Sequence, residues 1–200
     1  MKPKKIIKII VGTNNPGKLK EIRDLLPKNL IIKSPKDLKI KSPKENGKSF
    51  KENSLIKAKF FSKKTNMICL ADDSGLEIDI LNKKPGIFSS RWAGARSNFN
   101  LAIKKIFFKL TKIDKAWRDK KIHSRFVCAL TIYWPNGKNF SSIGKVEGLI
   151  SKKIKGKNGF GYDPIFIPLN KKRTFGQMKY KEKLKIDHRF KAFQKVKKFF

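Results

Sequence analysis

The sequence predicts an α/β domain of mixed α+β type, and three observations predict it. A β-branched run, "KKIIKIIVG" (4–12), enters a loop bearing Gly and Pro and then a helical apolar stripe. A second apolar run, "NMICLADDSG" (66–75), follows directly on a capped helical segment. A longer run, "RFVCALTIYW" (125–134), leads into "PNG", the composition of a hairpin turn. Strands and helices interleaved in this order build layered α/β or α+β domains.

The elements follow in chain order. "KKIIKIIVG" reads as a buried strand entering a turn at Gly12. Asn15 suits a helix N-cap and Pro16 the first helical position, while Leu19, Ile22, Leu25 and Leu26 set a stripe that ends before Pro27. "LIIK" (30–33) is a short second strand, and "SPKDLKIKSPKENGK" (34–48), polar and punctuated by Pro and Gly, is a loop. Ser49 and Glu52 form a capping box ahead of a helix with Leu55, Ala58, Phe60 and Phe61 at helical spacing. "NMICLADDSG" is a core strand expected to stop on its two acids, with "LEIDIL" (76–81) as a separate strand-like piece. "FNLAIKKIFFKL" (99–110) is an amphipathic helix, and "NFSSIGKVEGLI" (139–150) is the partner strand of the hairpin. The tail from 187 to 200 is amphipathic, with Phe190, Phe193, Val196 and Phe200 on one side. No internal repeat or low-complexity linker interrupts the chain, which reads as one domain over 1–200.

A chain of 200 residues buries a core large enough to need no disulfide or structural metal. Its two cysteines, Cys69 and Cys128, lie in apolar runs, as buried core residues do, which fits a reducing cytoplasm. The N-terminal apolar run is short and broken by Lys8, so it does not read as a signal peptide, and no stretch reaches membrane-spanning length. A formal charge of +35 favours polyanions through counterion release. However, only seven of the basic residues are arginines, and the lysines are scattered as on a solvated face. Abundant Lys, Ile, Asn and Phe together match A/T-rich codons, so a drift in composition accounts for the charge and no specific nucleic-acid or membrane partner is expected.

Four segments carry chemistry. "VGTNNPGKLKEI" (11–22) nearly spells a P-loop: Gly12, Gly17 and Lys18 fit, but Leu19 stands where the magnesium-binding hydroxyl belongs. A loop from strand to helix presents N–H groups and the positive dipole end to an anion, with Lys18 adding a charge; the alternative is a plain N-cap beside a solvated lysine. In "ADDSGLEID" (71–79), adjacent Asp72 and Asp73 gather negative charge at a strand end. Hard oxygen ligands suit Mg²⁺, so carboxylates can replace the missing hydroxyl; the alternative is a capped Asp-Ser-Gly turn. "GKNGFGYDPIF" (156–166) sets two aromatic rings, Phe160 and Tyr162, on a pliable backbone, for stacking on a flat ligand or for filling a core. "EKLKIDHRF" (182–190) places His188 and Arg189 at the start of the last helix with Lys183 before them, either as ligand contacts or as surface groups.

Taken together, "TNNPGKLKEI", "ENGKSFKENSLIKAKF", "ADDSGLEIDILNKKPGIFSSRWAG", "GKVEGLI", "GFGYDPIF" and "EKLKIDHRFKA" resemble, in order and spacing, the inosine triphosphate pyrophosphatase family, over nearly the whole chain. The resemblance implies a two-lobed domain whose central twisted mixed sheet is flanked by helices, with a nucleotide cleft between the lobes. It implies Mg²⁺-dependent hydrolysis of non-canonical purine nucleoside triphosphates (ITP, dITP, XTP) to monophosphate and pyrophosphate, and a cytoplasmic homodimer. On that basis Thr13, Asn14, Asn15, Pro16, Gly17 and Lys18 bind the triphosphate. Glu45 and Asp73 hold Mg²⁺, Asp73 also accepts the proton, and Ser74 contacts substrate. Phe160, Gly161, Tyr162, Asp163, Lys183, His188 and Arg189 surround base and sugar, with Arg189 a donor aimed at the 6-oxo group. The chain departs from the family at Asp187, where Ser is usual before His-Arg, at "FGQM" (175–178) and at Trp92. A P-loop NTPase or kinase predicts a hydroxyl at position 19, and a basic nucleic-acid module predicts salt-sensitive oligonucleotide binding. Neither explains Asp72, Asp73 and "GFGYDP" together.

Overall fold

The computed structural model describes residues 6–94 and 97–200. The first strand expected from "KKIIKIIVG" begins at Lys4, so its first two residues lie outside the described ones. Along the chain run β1 (Lys8–Val11), α1 (Pro16–Leu25), β2 (Ile31–Lys33), α2 (Phe50–Thr65), β3 (Cys69–Ile78), β4 (Lys84–Pro85) and α3 (Ser89–Trp92). Then come α4 (Phe99–Ile113), β5 (His123–Tyr133), β6 (Asn139–Ile150), β7 (Phe166–Pro168), α5 (Tyr180–Leu184) and α6 (His188–Val196). The sheet order is β2-β1-β3-β5-β6-β7, with β4 paired to β3. β1 pairs parallel with β2 and with β3, whereas β4 on β3 and β7 on β6 are antiparallel, so the sheet is mixed as expected.

The caps read from sequence form. The Asn15 side chain accepts from the Lys18 N–H at 3.0 Å, with Pro16 opening α1. Ser49 accepts from the Glu52 N–H at 3.2 Å, while the Glu52 carboxylate takes the Lys48 N–H at 2.8 Å, one residue earlier than an ideal capping box. The hairpin turn closes with the Trp134 N–H on the Lys138 carbonyl at 2.9 Å.

One expectation is corrected. β3 does not stop on its two acids but runs unbroken through Asp72, Asp73, Ser74 and Gly75 to Ile78. Asp, Ser and Gly are poor strand formers, and here tertiary partners override that preference.

The chain divides into two compact units: residues 1–73, 128–144 and 189–200 form the first, and residues 74–127 and 145–188 the second. The first is a sheet buried on both faces. Ile9 and Val11 of β1, Leu70 of β3 and Leu130 of β5 pack with Ile22 of α1 and Phe193 of α6. The alternate residues Ile10, Cys69 and Ala71 pack with Ala58 and Phe61 of α2. This is the period-2 alternation of strands covered on each side by helices. Gly12 lies under that second face, where a Cβ would come within 2.9 Å of the Phe61 ring and 3.0 Å of Ala71 and Cys69. Both cysteines are buried, and burial pushes the Cys69 thiol well above its ordinary value, so it serves packing. The second unit is built around Leu76, Ile78, Ile103, Ile106, Leu110, Trp117, Phe166 and Phe175. Among the described residues no helix is long and apolar enough to cross a membrane.

Candidate active site

Because side chains alternate along a strand, Asp72 and Asp73 leave β3 on opposite faces: Asp72 on the side of Leu70, α1 and α6, Asp73 on the side of Ala71 and α2. Each therefore meets its own cations. The Asp72 Oδ2 is 3.2 Å from the Lys18 Nζ and 3.4 Å from the Arg189 Nε. The Asp73 Oδ1 is 3.2 Å from the Lys57 Nζ, which is also 3.2 Å from the Glu45 Oε1. The two adjacent acids thus make their close ion pairs with different cations, while Asp72 still acts on Lys57 and Lys18 on Asp73.

Lys57 is 5% exposed. Burial disfavours its charged form, but the carboxylates of Asp73, Asp72 and Glu45 outweigh burial and hold its pKa above the ordinary value, so it remains an ammonium at neutral pH. For Asp73, burial pushes the pKa up, against the pull of Lys57 and Lys18. Its second oxygen, Oδ2, is buried with no hydrogen-bond partner among the described residues. Buried polar atoms are nearly always paired, so an orphaned carboxylate oxygen beside a second carboxylate marks a place for a cation or a donor from a ligand. Glu45 and Asp73 offer hard oxygens, and Mg²⁺ is commonly held by one or two carboxylates while water and substrate phosphates complete its shell. The pair fits such an ion. Among the described residues no group of three or more His, Cys, Asp or Glu side chains gathers as a metal cluster.

The loop from β1 to α1 is ordered by its own side chains. The Thr13 hydroxyl accepts from the Asn15 N–H at 3.2 Å, and the Asn14 amide donates to Ser42 at 2.9 Å. Lys18 is not a solvated lysine but is tethered to buried Asp72. Leu19, at the position where a P-loop carries its hydroxyl, packs against the apolar cluster around Ile22.

In the second unit the segment 160–163 is closed by Asp163, whose Oδ2 accepts from the Phe160 N–H at 2.9 Å and from the Lys183 Nζ at 2.8 Å. At Gly159, with φ +74, a Cβ would fall 2.0 Å from that same oxygen, so the turn needs glycine twice over. The Lys183 ammonium lies 4.9 Å from the centre of the Phe160 ring. His188 stacks on Phe126, with centroids 4.8 Å apart and planes 10° from parallel. Ser74 is half-buried on β3.

Two of the residues expected around base and sugar are engaged within the protein. Of the two uses open to the Tyr162 ring, core filling is the one seen: it is buried, edge-on to Phe99, and its hydroxyl donates to the Ser89 carbonyl at 2.9 Å. Arg189 is 2% exposed, with Nη1 on Glu21 and Nε on Asp72. The sequence reading also missed Lys57, Glu21 and Phe126. Lys57 lies in the quoted "ENSLIKAKF", but one lysine among so many carries no compositional signal of burial.

Comparison with known proteins agrees with this architecture. The model of the Ham1 family matches residues 9–199. A dITP/XTP pyrophosphatase of Bacillus licheniformis is 39% identical over 190 residues, covering 94% of this chain and 95% of that protein. Another, from Zymomonas mobilis, is 40% identical over 190 residues, covering 94% and 90%. Among solved structures, the Ham1 protein of Staphylococcus aureus matches with a TM-score of 0.82 at 32% identity, over 96% of this chain and 97% of its own. A HAM1 protein from Coxiella burnetii matches with a TM-score of 0.84 at 35% identity, over 96% and 98%. With the family model spanning nearly its full length and these identities beside it, the chain belongs to the Ham1 family.

Proposed function

We propose that the protein is a nucleoside triphosphate pyrophosphatase that hydrolyses non-canonical purine nucleoside triphosphates (ITP, dITP, XTP) to the monophosphate and pyrophosphate. The observation that carries the reading is the pairing of adjacent Asp72 and Asp73 with two different lysines, one at the mouth of a phosphate-type loop and one beside a second carboxylate. Kinship with two dITP/XTP pyrophosphatases at 39% and 40% identity supports the substrate class.

In this reading Thr13, Asn14, Asn15, Pro16 and Gly17, at the N-terminus of α1, hold the phosphate chain with Lys18. Glu45 and Asp73 would hold Mg²⁺, which when bound neutralises phosphate charge. Asp73 accepts a proton from the attacking water. Burial makes its carboxylate more basic than an exposed one, which suits a proton acceptor. The water oxygen bonds to phosphorus as the bond to the pyrophosphate leaving group breaks, and no covalent enzyme intermediate forms. Ser74 contacts substrate, and Phe160, Gly161, Tyr162, Asp163, Lys183, His188 and Arg189 take the base and sugar. A donor facing a 6-oxo group disfavours adenine, whose amino group leaves that donor unpaired, a mismatch worth several powers of ten. Arg189, with Nη1 on Glu21 and Nε on Asp72, is the donor proposed for that task. The protein is assigned as a single catalytic domain, active as a cytoplasmic homodimer, which light scattering tests.

The experiment is a product analysis with ITP, dITP, XTP, GTP and ATP, with and without Mg²⁺. Pyrophosphate from ITP, dITP and XTP only when Mg²⁺ is present is the expected result. Release of orthophosphate, or no turnover together with salt-sensitive oligonucleotide binding, would replace the proposal with a P-loop-type NTPase or a nucleic-acid module.

A further inference from the structure

Glu45 sits on a stretch of chain with no regular secondary structure, just ahead of α2. Such a stretch keeps a side chain in place only where its backbone is held. Here α2 holds it at successive points. The Glu52 carboxylate accepts from the Lys48 N–H at 2.8 Å, the Asn53 Oδ1 accepts from the Gly47 N–H at 2.8 Å, and the Lys57 Nζ lies 3.2 Å from the Glu45 Oε1. Asn53 and Lys57 are four residues apart, so they reach the loop from the same side of the helix. Gly47 lies so close to α2 that a Cβ there would fall 2.7 Å from the Asn53 Oδ1 and 3.0 Å from the Asn53 backbone nitrogen. The helix is itself tied down at this turn, where the Ser54 Oγ is 2.7 Å from the Thr131 Oγ1 of β5.

Asn53 is 0% exposed, uses its oxygen on the loop, and leaves its Nδ2 buried without a hydrogen-bond partner among the described residues. A buried unpaired donor costs at least as much stability as one hydrogen bond returns. Folding alone therefore gains little from an amide here over an apolar side chain of similar shape. What the amide does provide is a fixed place for Gly47, and so for Glu45 two residues earlier.

We propose that Asn53 is a positioning residue for the metal site: by holding the Gly47 N–H it keeps the Glu45 carboxylate in place beside Lys57 and Asp73, ready for a divalent cation. Without that bond, ordering the loop falls to the cation, and its affinity drops by the cost of the ordering. The inference rests on Glu45 and Asp73 holding a divalent ion, as in the function proposed above.

The test uses Asn53→Leu, which keeps the side chain's approximate shape and removes the acceptor. Three quantities are read: the dissociation constant of Mn²⁺ without nucleotide, followed by electron paramagnetic resonance; the Mg²⁺ concentration giving half-maximal ITP hydrolysis; and the melting temperature in EDTA. Mn²⁺ suits the same oxygen ligands as Mg²⁺. Lost positioning predicts that both metal constants rise together, on the order of tenfold, while kcat at saturating Mg²⁺ and the melting temperature in EDTA stay close to those of the wild type. Unmoved metal constants overturn the proposal. So does a fall in kcat that saturating Mg²⁺ does not restore, which would make Asn53 a substrate contact, and so does a lowered melting temperature in EDTA with both constants unchanged, which would make it a packing residue. Gly47→Ala displaces the same contact from the loop side and carries the same readings if the Asn53 variant does not fold. Wild-type turnover of ITP without any divalent ion would fall on the metal reading of the proposed function, and it shows in the unaltered protein, whereas failure of this inference shows only in the variants.

Discussion

A lysine with 5% of its surface exposed needs compensation for a charge it cannot hydrate, and Lys57 receives it from Glu45 and Asp73 together. That places Asp73 in a setting where burial keeps its carboxylate basic while an ammonium keeps it in place. Asp73→Asn is therefore expected to lower kcat for ITP by about 10²–10⁴, the range of general-base loss, with little change in melting temperature because Glu45 remains on Lys57. Activity near that of the wild type would remove Asp73 from the proton-accepting role. Arg189→Ala removes the guanidinium that both Glu21 and Asp72 face. Breaking a buried pair by removing one partner costs about 3–5 kcal/mol, read as a fall in unfolding free energy by urea titration; a loss under about 1 kcal/mol would mean the ion pair does not form in solution. The sequence made Asp73 legible, since adjacent acids after an apolar run are rare enough to notice. It hid the state of Arg189, because nothing near "DHRF" shows that Glu21, far away along the chain, waits for a guanidinium.

At the level of elements, the caps of α1 and α2 were readable because their partners are three or four residues away, and the passage of β3 through its acids was not, because its partners are distant in sequence. Gly75 belongs to the same strand for a spatial reason. A Cβ there would sit 2.4 Å from both the Gly86 carbonyl oxygen and the Ser89 Oγ, and Ser89 is already bonded to Gly86 and to the Leu76 N–H. Gly75→Ala should cost about 1–3 kcal/mol as overpacking, visible as a lowered thermal midpoint, and a neutral result would show that this corner yields. At the start of α2 the Lys48 N–H, and after it the Ser49 hydroxyl, hold the Glu52 carboxyl below its ordinary value of 4.5. A depressed carboxylate contributes stability in full above that value and loses it as pH falls through the lower folded pKa. Stability measured from pH 7 downward should thus decline less steeply in Glu52→Gln than in the wild type; parallel curves would mean the cap bears no pH-dependent share.

For the molecule as a whole, +35 over 200 residues is an electrostatic load that the named ion pairs relieve only locally. Exposed like charges repel across a Debye length of about 10 Å at 0.1 M salt, so raising sodium chloride from 20 to 500 mM should raise the melting temperature. A fall instead would mean that surface attractions outweigh the lysine repulsion. Fold class was legible at this scale because apolar periodicity belongs to each segment alone, whereas which stretches make up each compact unit was not, since it depends on which distant segments meet. That division has a practical corollary for anyone dissecting the protein. The first unit is assembled from three stretches of chain and the second from two, with the joins at 73/74, 127/128, 144/145 and 188/189. Three of those joins fall within strands and one near the start of α6. No protease nick or expression boundary can release either part whole, and a truncation at any join would leave a severed strand or helix in place of a stable fragment.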